Sequence, residues 1–343
     1  MRTSATRICS VVAGVFLLAL FLSVPVFSAE EPIAKLKYAG FMPPGHPISV
    51  LSEQWCKELD TKTNGRVKTT YYTANTLIPA AQIYDGVVKG IADFGWSVVA
   101  YTPGRMPLTE GFILPLGYKS CAQGTRAMNE YYQKFKPKEF DDVKLLYLHG
   151  FRFVGIHTKK QVTKMDDLKG LRIKGDGGNV GIIAATGATP TVMPMIELYD
   201  GLKRGVCDGS FHPMEALKAW KLAEICHYTY QNTSLIAANP FFVAMNKAKW
   251  NALPPDIQQI IEKMSVEYMA KQGKLWDDLD ADAVEFVKKT HTFTRATPEE
   301  EARTREKMVP LLDTYVKNTK AKGLPGDELV KWVQNYVQTT PAN

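Results

Sequence analysis

The stretch that decides the fold runs from Asp166 to Pro213 and reads DDLKGLRIKGDGGNVGIIAATGATPTVMPMIELYDGLKRGVCDGSFHP. Leu171 to Lys174 alternates apolar and basic side chains, which is the period of a strand with one buried face. Gly175 ends that strand, a helix of small residues begins near Asn179, and a turn at Gly187 and Pro190 follows. A second helix then carries apolar residues at helical spacing, and another strand leads to Pro213. The stretch therefore predicts a βαβ unit.

The end of the first strand in this unit is the place where a ligand is expected. In an open α/β sheet, ligands bind in the cleft beyond the carboxyl ends of the strands. Arg172 and Lys174 share one face of the strand because side chains alternate along it. Lys174 is nearer the carboxyl end, so it is the residue that would present a positive charge to the cleft.

Two runs of residues in this stretch carry a family resemblance. Residues 167–174 read Asp-Leu-Lys-Gly-Leu-Arg-Ile-Lys, and residues 197–209 read Glu-Leu-Tyr-Asp-Gly-Leu-Lys-Arg-Gly-Val-Cys-Asp-Gly, with Pro213 four residues later. They resemble the DctP-type solute-binding proteins of TRAP (tripartite ATP-independent periplasmic) transporters. The resemblance implies a two-lobed α/β periplasmic binding protein, type II-like, with a long helix spanning both lobes. It also implies a protein that is not an enzyme but captures an organic acid and delivers it to membrane permease subunits.

The N-terminus has the layout of a secretory signal peptide. Arg2 and Arg7 precede an uncharged run from Ile8 to Ala29 that ends in small residues. A charged start, an apolar centre and a small-residue end are typical of a segment that is cleaved on export, here near Ala29. An uncleaved membrane anchor is the alternative, because the run is nearly long enough to span a bilayer. We expect an exported, periplasmic protein.

Composition argues against several other classes of protein. The 343 residues carry a formal net charge of +7, and no run of Lys and Arg is dense enough to indicate nucleic-acid binding. No Cys and His cluster has metal spacing, so we expect neither a metal nor a cofactor. No general base can be paired with a nucleophile. The expected partners are a small organic acid and the permease, and the binding protein is expected to be a monomer.

Four cysteines lie beyond the predicted signal peptide: Cys56, Cys121, Cys207 and Cys226. An exported chain permits disulfides, and four cysteines allow three pairings. Cys56 and Cys207 also fit the pattern of small, buried hydrophobic residues. The sequence leaves both interpretations open, with Cys207 and Cys226 as the first candidates for a bridge.

We expect two lobes that exchange segments of chain, followed by helices that pack on both of them. Lobe I would contain residues 30–150 and 240–272, lobe II residues 151–239 and 273–296, and the terminal helices residues 297–343.

One long helix is predicted after Pro254. Apolar residues from Ile257 to Val287, Phe286 among them, recur near helical spacing. A helix of about 33 residues would be roughly 50 Å long, enough to lie across both lobes. A coiled-coil partner is the alternative, but Gly273 and an irregular stripe argue against a sustained heptad.

The resemblance places basic residues at the carboxylate of the ligand. The family usually has Arg where this chain has Lys174, and Lys offers a mobile point charge instead of a bidentate fork. Arg152 follows the strand predicted from Val143 to Leu148, which should cross between lobes, and the family often has a basic residue there that reaches the ligand. We therefore expect Arg152 to be the main anchor. The alternative is that Arg152 ties strands together at the hinge.

Aromatic and polar side chains of the first lobe are candidate cleft walls. Trp96 and Tyr101 lie at and beyond a predicted strand end, although most Trp side chains in globular proteins belong to a core. His46 lies in a loop that can border the cleft, or can pack on its neighbours instead.

Three positions of the second lobe depart from the family pattern. Met195 stands where an aromatic residue often stacks, His212 stands where an Asn often hydrogen-bonds, and Phe211 replaces a commonly acidic residue. Packing alone would also explain Met195 and Phe211. These departures predict a monocarboxylate with a bulky apolar or aromatic body; a C4-dicarboxylate or keto acid, a sensing subunit and a secreted enzyme remain alternatives. The candidate ligand-binding residues are Arg152, Lys174, Trp96, Met195, Phe211, His212, Tyr101 and His46.

Overall fold

The computed structural model describes residues 32–342, so the predicted signal peptide lies outside the described residues. The strands are β1 (Ala34–Ala39), β2 (Val67–Tyr72), β3 (Phe94–Val98), β4 (Val143–Phe153), β5 (Gly155–Thr158), β6 (Arg172–Gly175), β7 (Thr189–Val192), β8 (Gly209–His212), β9 (Tyr228–Gln231), β10 (Ala237–Asn246) and β11 (Thr292–Arg295). The helices are α1 (Pro47–Lys62), α2 (Ile83–Val88), α3 (Cys121–Phe135), α4 (Val180–Ala185), α5 (Leu198–Lys203), α6 (Glu215–Ala219), α7 (Lys247–Ala252), α8 (Pro255–Val287), α9 (Pro298–Ala321) and α10 (Gly326–Thr339).

The first sheet has five strands in the order β2-β1-β3-β10-β4. β1 runs parallel to β2 and β3, whereas β10 runs antiparallel to β3 and β4. Every residue of β3 and β10 is buried, which is the pattern of strands covered on both faces. The helices α1, α2, α3 and α8 pack against strands of this sheet.

The second sheet has six strands in the order β11-β9-β5-β8-β6-β7. The stretch from Asp166 to Pro213 supplies its β6, β7 and β8, and β6 pairs in parallel with both neighbours. The predicted turn at Pro190 is wrong, because residues 189–192 form the edge strand β7. Proline is tolerated at an edge because its missing N–H removes no ladder bond there.

The chain crosses between the two sheets at short connections. β4 continues to Phe153, beyond the predicted strand end at Leu148, so Arg152 lies inside a strand and not after it. Only Val154 separates β4 of the first sheet from β5 of the second. The return crossing runs from β9 to β10 through a 3-10 turn, Thr233–Leu235. Short connections of this kind act as hinges between lobes.

The long helix α8 has 33 residues, as predicted, and is therefore roughly 50 Å long. It packs against α1, α3 and β4 at the first sheet and against α6 at the second. Phe286, which was expected on the buried stripe, is 61% exposed. The inward face instead passes through Trp276, Asp280, Ala283 and Val287, and Phe286 lies about 100° away from Val287 around the helix.

All four cysteines among the described residues are free and buried. The proposed bridge between Cys207 and Cys226 is therefore absent, and the alternative of small hydrophobic residues in the core is the correct one. Burial raises the pKa of Cys226 to about 12, which keeps the thiol protonated and unreactive.

The helix position Gly273 has a packing reason. A Cβ there would lie 3.0 Å from the Cα of Ala122 in α3, so the two helices approach too closely for a side chain.

None of the helices among residues 32–342 is both long and apolar enough to cross a membrane.

Candidate ligand-binding site

A cavity of about 20 Å³, room for about one water molecule, lies between the two sheets. This volume is far below the range for small-molecule sites, so its walls must move apart to admit an organic acid. Six of its lining residues are aromatic, four are other apolar residues and three are ionisable. They are Phe41, Tyr101, Phe151, Trp220, Phe241 and Trp276; Met42, Val98, Met195 and Pro213; and Asp176, His212 and Glu215.

The aromatic wall is held by contacts among its own rings. Phe41, in the loop after β1, stacks on Phe241 of β10 with centroids 6.3 Å apart and planes 8° apart. Phe241 also packs on Trp276 of α8 at 5.7 Å and on Phe151 of β4 at 5.6 Å. Such offset and edge contacts fix ring orientation. The rings therefore form one continuous apolar surface.

A buried ion pair closes one end of the cavity. Lys174 and Asp176 lie on the same side of the β6 end because side chains alternate, and Lys174 Nζ is 2.7 Å from Asp176 Oδ1. Asn239 Nδ2 of β10 donates to Asp176 Oδ2 across 2.9 Å. Burial alone would raise the pKa of Asp176, but the Lys174 ammonium outweighs it and holds that pKa well below its usual range. Asp176 is therefore ionised and fully paired.

His212 offers the cavity one hydrogen-bond donor. Lys174 Nζ donates to His212 Nε2 across 3.1 Å, so the proton of the neutral ring is on Nδ1. Nδ1 is buried and has no partner among residues 32–342. Burial, helped by the Lys174 charge, lowers the pKa of His212 to about 4. At neutral pH the ring is uncharged and presents an unsatisfied N–H at the cavity wall.

A chain of hydrogen bonds fixes the backbone next to His212. His157 Nε2 lies 3.0 Å from the carbonyl oxygen of Pro213 and must donate to it, so His157 Nδ1 accepts from Thr229 Oγ1 at 2.8 Å. Thr229 Oγ1 in turn accepts from His291 Nε2 at 2.6 Å. Burial lowers the pKa of His157 to about 3, which keeps it neutral in this role.

A second buried contact joins the two lobes on the other side of the cavity. His46 Nδ1 accepts from the backbone N–H of Ile48 at 3.2 Å, so the ring is neutral and Nε2 donates to Glu215 Oε1 at 2.7 Å. The backbone N–H of Glu215 donates to Asp280 Oδ1 at 2.9 Å. Burial raises the pKa of Asp280 to about 7. The loop after β1 is thereby tied to α6 and α8.

Arg152 lies in a different environment from the aromatic cavity. Its Nη1 donates to the Tyr118 carbonyl at 3.1 Å, and its Nη2 is 3.9 Å from Asp277 Oδ1. Arg152 lines a separate groove that also contains Asp280, Arg295 and Asp277. It is not among the described residues that line the cavity, and its contact with a ligand stays a prediction.

The other candidates from the sequence fall into three groups. Tyr101, Met195 and His212 line the cavity itself. Lys174 and His46 do not line it but bond to residues that do. Trp96 is 1% exposed, packs behind Phe41 at 4.9 Å and donates to Tyr71, and Phe211 is 1% exposed and stacks on Phe153 at 5.0 Å. The last two are packing residues in this structure.

Several site residues escaped the sequence reasoning: Asp176, Glu215, Asn239, Trp220 and Trp276. Asp176 carried a local signal, because an acid two residues beyond Lys174 on a strand shares its face. Glu215 and Asn239 bond to residues 169 and 63 positions away, and nothing local marks them.

Among residues 32–342, no group of three or more His, Cys, Asp or Glu side chains is arranged to hold a metal ion.

Known proteins are similar to this chain in sequence over most of its length. A model of the family "bacterial extracellular solute-binding protein, family 7" (DctP) matches residues 38–318. The C4-dicarboxylate-binding periplasmic protein DctP of Rhodobacter capsulatus is 26% identical over 319 residues, which cover 90% of this chain and 93% of that protein.

Two solved structures are similar in both fold and sequence. One is a TRAP solute-binding protein specific for aromatic acids, from an unidentified marine metagenome microbe, in complex with metahydroxyphenylacetate. It is 27% identical to this chain, has a TM-score of 0.84, and the match covers 89% of this chain and 98% of that one. The other, from Rhodoferax ferrireducens, holds copurified benzoate; it is 27% identical with a TM-score of 0.82, covering 89% and 97%.

These matches confirm the two-lobed α/β fold with its long helix and the family implied by the sequence motifs. The family consists of periplasmic solute-binding proteins and not of enzymes, and its members bind small organic acids and work with membrane permease subunits. The chain belongs to the DctP family of solute-binding proteins of TRAP transporters.

Proposed function

We propose that this protein captures a monocarboxylate with a bulky, aromatic body in the cavity between its lobes and delivers it to a TRAP permease. The observation that carries the proposal is the composition of the cavity wall, where six aromatic side chains surround an end that offers a buried, unpaired N–H donor, His212 Nδ1. Apolar walls with a few converging polar groups are the usual design of a small-molecule site. The aromatic acids held by the two solved relatives support this ligand class.

The carboxylate is proposed to lie against His212, with Lys174 directly behind it. Lys174 Nζ contacts His212 Nε2, so its charge strengthens the His212 N–H as a donor. The sequence placed Arg152 first, and that assignment remains open to test. Its guanidinium contacts the Tyr118 carbonyl and faces Asp277, which supports His212, polarised by Lys174 behind it, as the closer anchor.

A C4-dicarboxylate is the alternative ligand, because the relative from Rhodobacter capsulatus carries that name. The charges of the cavity disfavour it. Lys174 is already balanced by Asp176, and Glu215 adds a further negative charge at the wall. A second carboxylate on the ligand would therefore be desolvated without a cation to pair with it, which is costly.

Capture is proposed to proceed by hinge closure of a monomer. The His46–Glu215 and Asn239–Asp176 hydrogen bonds both join elements of the first sheet to elements of the second, so both would break on opening. The crossing at Val154 and the turn Thr233–Leu235 are the short connections that would bend. A ligand that bridges the lobes shifts the population towards the closed form, which the permease would recognise.

A thermal-shift screen followed by calorimetry tests the ligand class. The purified protein is heated with benzoate, phenylacetate, branched-chain 2-oxo acids and C4-dicarboxylates, and a tight ligand raises the melting temperature by mass action. We expect hits among the aromatic or branched monocarboxylates. Hits confined to dicarboxylates would contradict the proposal, because they require a free cation that the cavity contacts do not provide.

A further inference from the structure

The charges at the cavity wall favour a ligand that carries a positive group as well as a carboxylate. Lys174 and Asp176 cancel each other at 2.7 Å. His212 is neutral because its Nε2 accepts from Lys174, and His46 is neutral because its Nδ1 accepts from the Ile48 N–H. The remaining charged group at the wall is Glu215, whose carboxylate has no cationic partner among residues 32–342. The cavity wall therefore carries an unbalanced negative charge at Glu215.

Glu215 is poised to contact a ligand. Its side chain is 4% exposed, and Oε1 accepts from His46 Nε2. Oε2 has no hydrogen-bond partner among the described residues, although Glu215 lines the cavity. An unpaired carboxylate oxygen that is nearly buried is expensive unless a cation or donor reaches it.

The surroundings of Glu215 suit an organic cation. Trp220 and Trp276 line the same cavity, and both rings pack around His46, at 5.9 Å and 6.4 Å between centroids. Indole faces attract ammonium groups, and the attraction grows when water is excluded. A carboxylate next to two indoles is thus a favourable position for an ammonium group.

We infer that the physiological ligand is a zwitterion, an α-amino acid with an aromatic or comparably bulky side chain. Its ammonium group would contact Glu215 Oε2 beside Trp220 and Trp276, and its carboxylate would accept from His212 Nδ1. His212 and Glu215 lie at the end of β8 and the start of α6, and both line the same cavity, so one small ligand can contact both. This inference rests on the proposed function, since it keeps the carboxylate site and adds a second one.

Calorimetry with three probes that share a phenylethyl group tests the inference. L-phenylalanine carries both charges, 3-phenylpropionate lacks the ammonium group, and 2-phenylethylamine lacks the carboxylate. We expect L-phenylalanine to bind at least about tenfold more tightly than either of the others, the difference that one well-placed charged contact gives. Equal or tighter binding of 3-phenylpropionate would overturn the zwitterion and leave the proposed function standing.

The remaining outcomes separate the two proposals. Binding of 2-phenylethylamine with no binding of either acid would overturn the proposed carboxylate function. Failure of all three probes to bind would overturn the inference, because the cavity would then not accept an aromatic amino acid at all.

The variant Glu215→Gln isolates the ammonium contact. Gln keeps an oxygen that accepts from His46 and keeps the backbone N–H for Asp280. We expect the affinity for L-phenylalanine to fall about tenfold, while the affinity for 3-phenylpropionate stays within about threefold. An equal loss for both ligands would mean that Glu215 only holds the lobes together, which would overturn its role as the ammonium site; the thermal unfolding curve of the variant confirms that it is folded.

Discussion

Asn239 Nδ2 donates to Asp176 Oδ2 across 2.9 Å, and this single bond joins β10 of the first sheet to the end of β6 in the second. Both side chains are buried, at 0% and 4% exposure. The same Asp176 also balances Lys174, so the contact between the lobes and the charge of the site share one residue. Closure and charge balance are therefore coupled through Asp176.

Asn239→Ala should weaken ligand binding. The change leaves Asp176 Oδ2 without its partner in the closed form, a loss of about 1–3 kcal/mol, whereas water satisfies that oxygen when the lobes open. We expect affinity to fall about tenfold or more by calorimetry with the tightest ligand from the screen.

Asn129→Ala is the matched control for Asn239→Ala. Asn129 bonds to the backbone of Leu148 and Thr125 within the first lobe. It should lower the melting temperature and leave affinity nearly unchanged. Similar losses of affinity in both variants would argue that Asn239 acts only through folding.

Lys174→Met should destabilise the folded protein strongly. The ammonium group is fully buried, and its loss leaves Asp176 as an unpaired buried charge, which costs about 3–5 kcal/mol. The double variant Lys174→Met/Asp176→Asn removes both charges and should recover much of this loss. Denaturant unfolding of the two single variants and the double variant gives the coupling energy, and additive losses would refute the buried pair.

Arg152→Ala decides between two anchors for the carboxylate. The motif resemblance predicts that this change costs more affinity than Lys174→Ala. The contacts of Arg152 with Tyr118 and Asp277 lead us to expect the reverse order, with Arg152→Ala changing affinity by less than about tenfold. Calorimetry on both folded variants with one ligand ranks them, and a greater loss for Arg152→Ala would restore it as the main anchor.

Asp280 should make stability depend on pH. Its pKa is raised to about 7 by burial, above the unfolded value of about 3.9, so the folded state prefers the protonated acid. The stability that this preference contributes is present below about pH 4 and is lost as pH rises through 7. Asp280→Asn removes the titration, so its unfolding free energy relative to wild type should rise by about 3 kcal/mol between pH 5 and pH 8.

The exposed residue Asp282 provides the control for Asp280→Asn. It lies on the same helix, and its partner is the surface residue Lys218. Asp282→Asn should leave the difference from wild type flat across this pH range, because an exposed pair contributes little. A flat difference for Asp280→Asn as well would show that Asp280 ionises normally in the folded protein.

Local sequence patterns determined the elements of this fold and their order. α8 has the predicted length because its apolar stripe persists for about nine turns. The extension of β4 and the edge strand β7 were missed. Their residues form strands because they pair with β10 and β6. Whether a segment becomes a strand therefore depends on the strand beside it as well as on its own residues.

The sequence predicted Lys174 as a site residue because it lies near the end of a strand that faces the cleft, and the family resemblance added His212. Only the tertiary structure decided what these side chains do. Lys174 is buried against Asp176 and not free to bind an anion, and His212 is a neutral donor because Lys174 occupies its other nitrogen. Glu215 became part of the site through His46, from which 169 residues separate it. Periodicity reports which face of an element is buried, but charge balance and tautomer depend on partners that folding brings from distant parts of the chain.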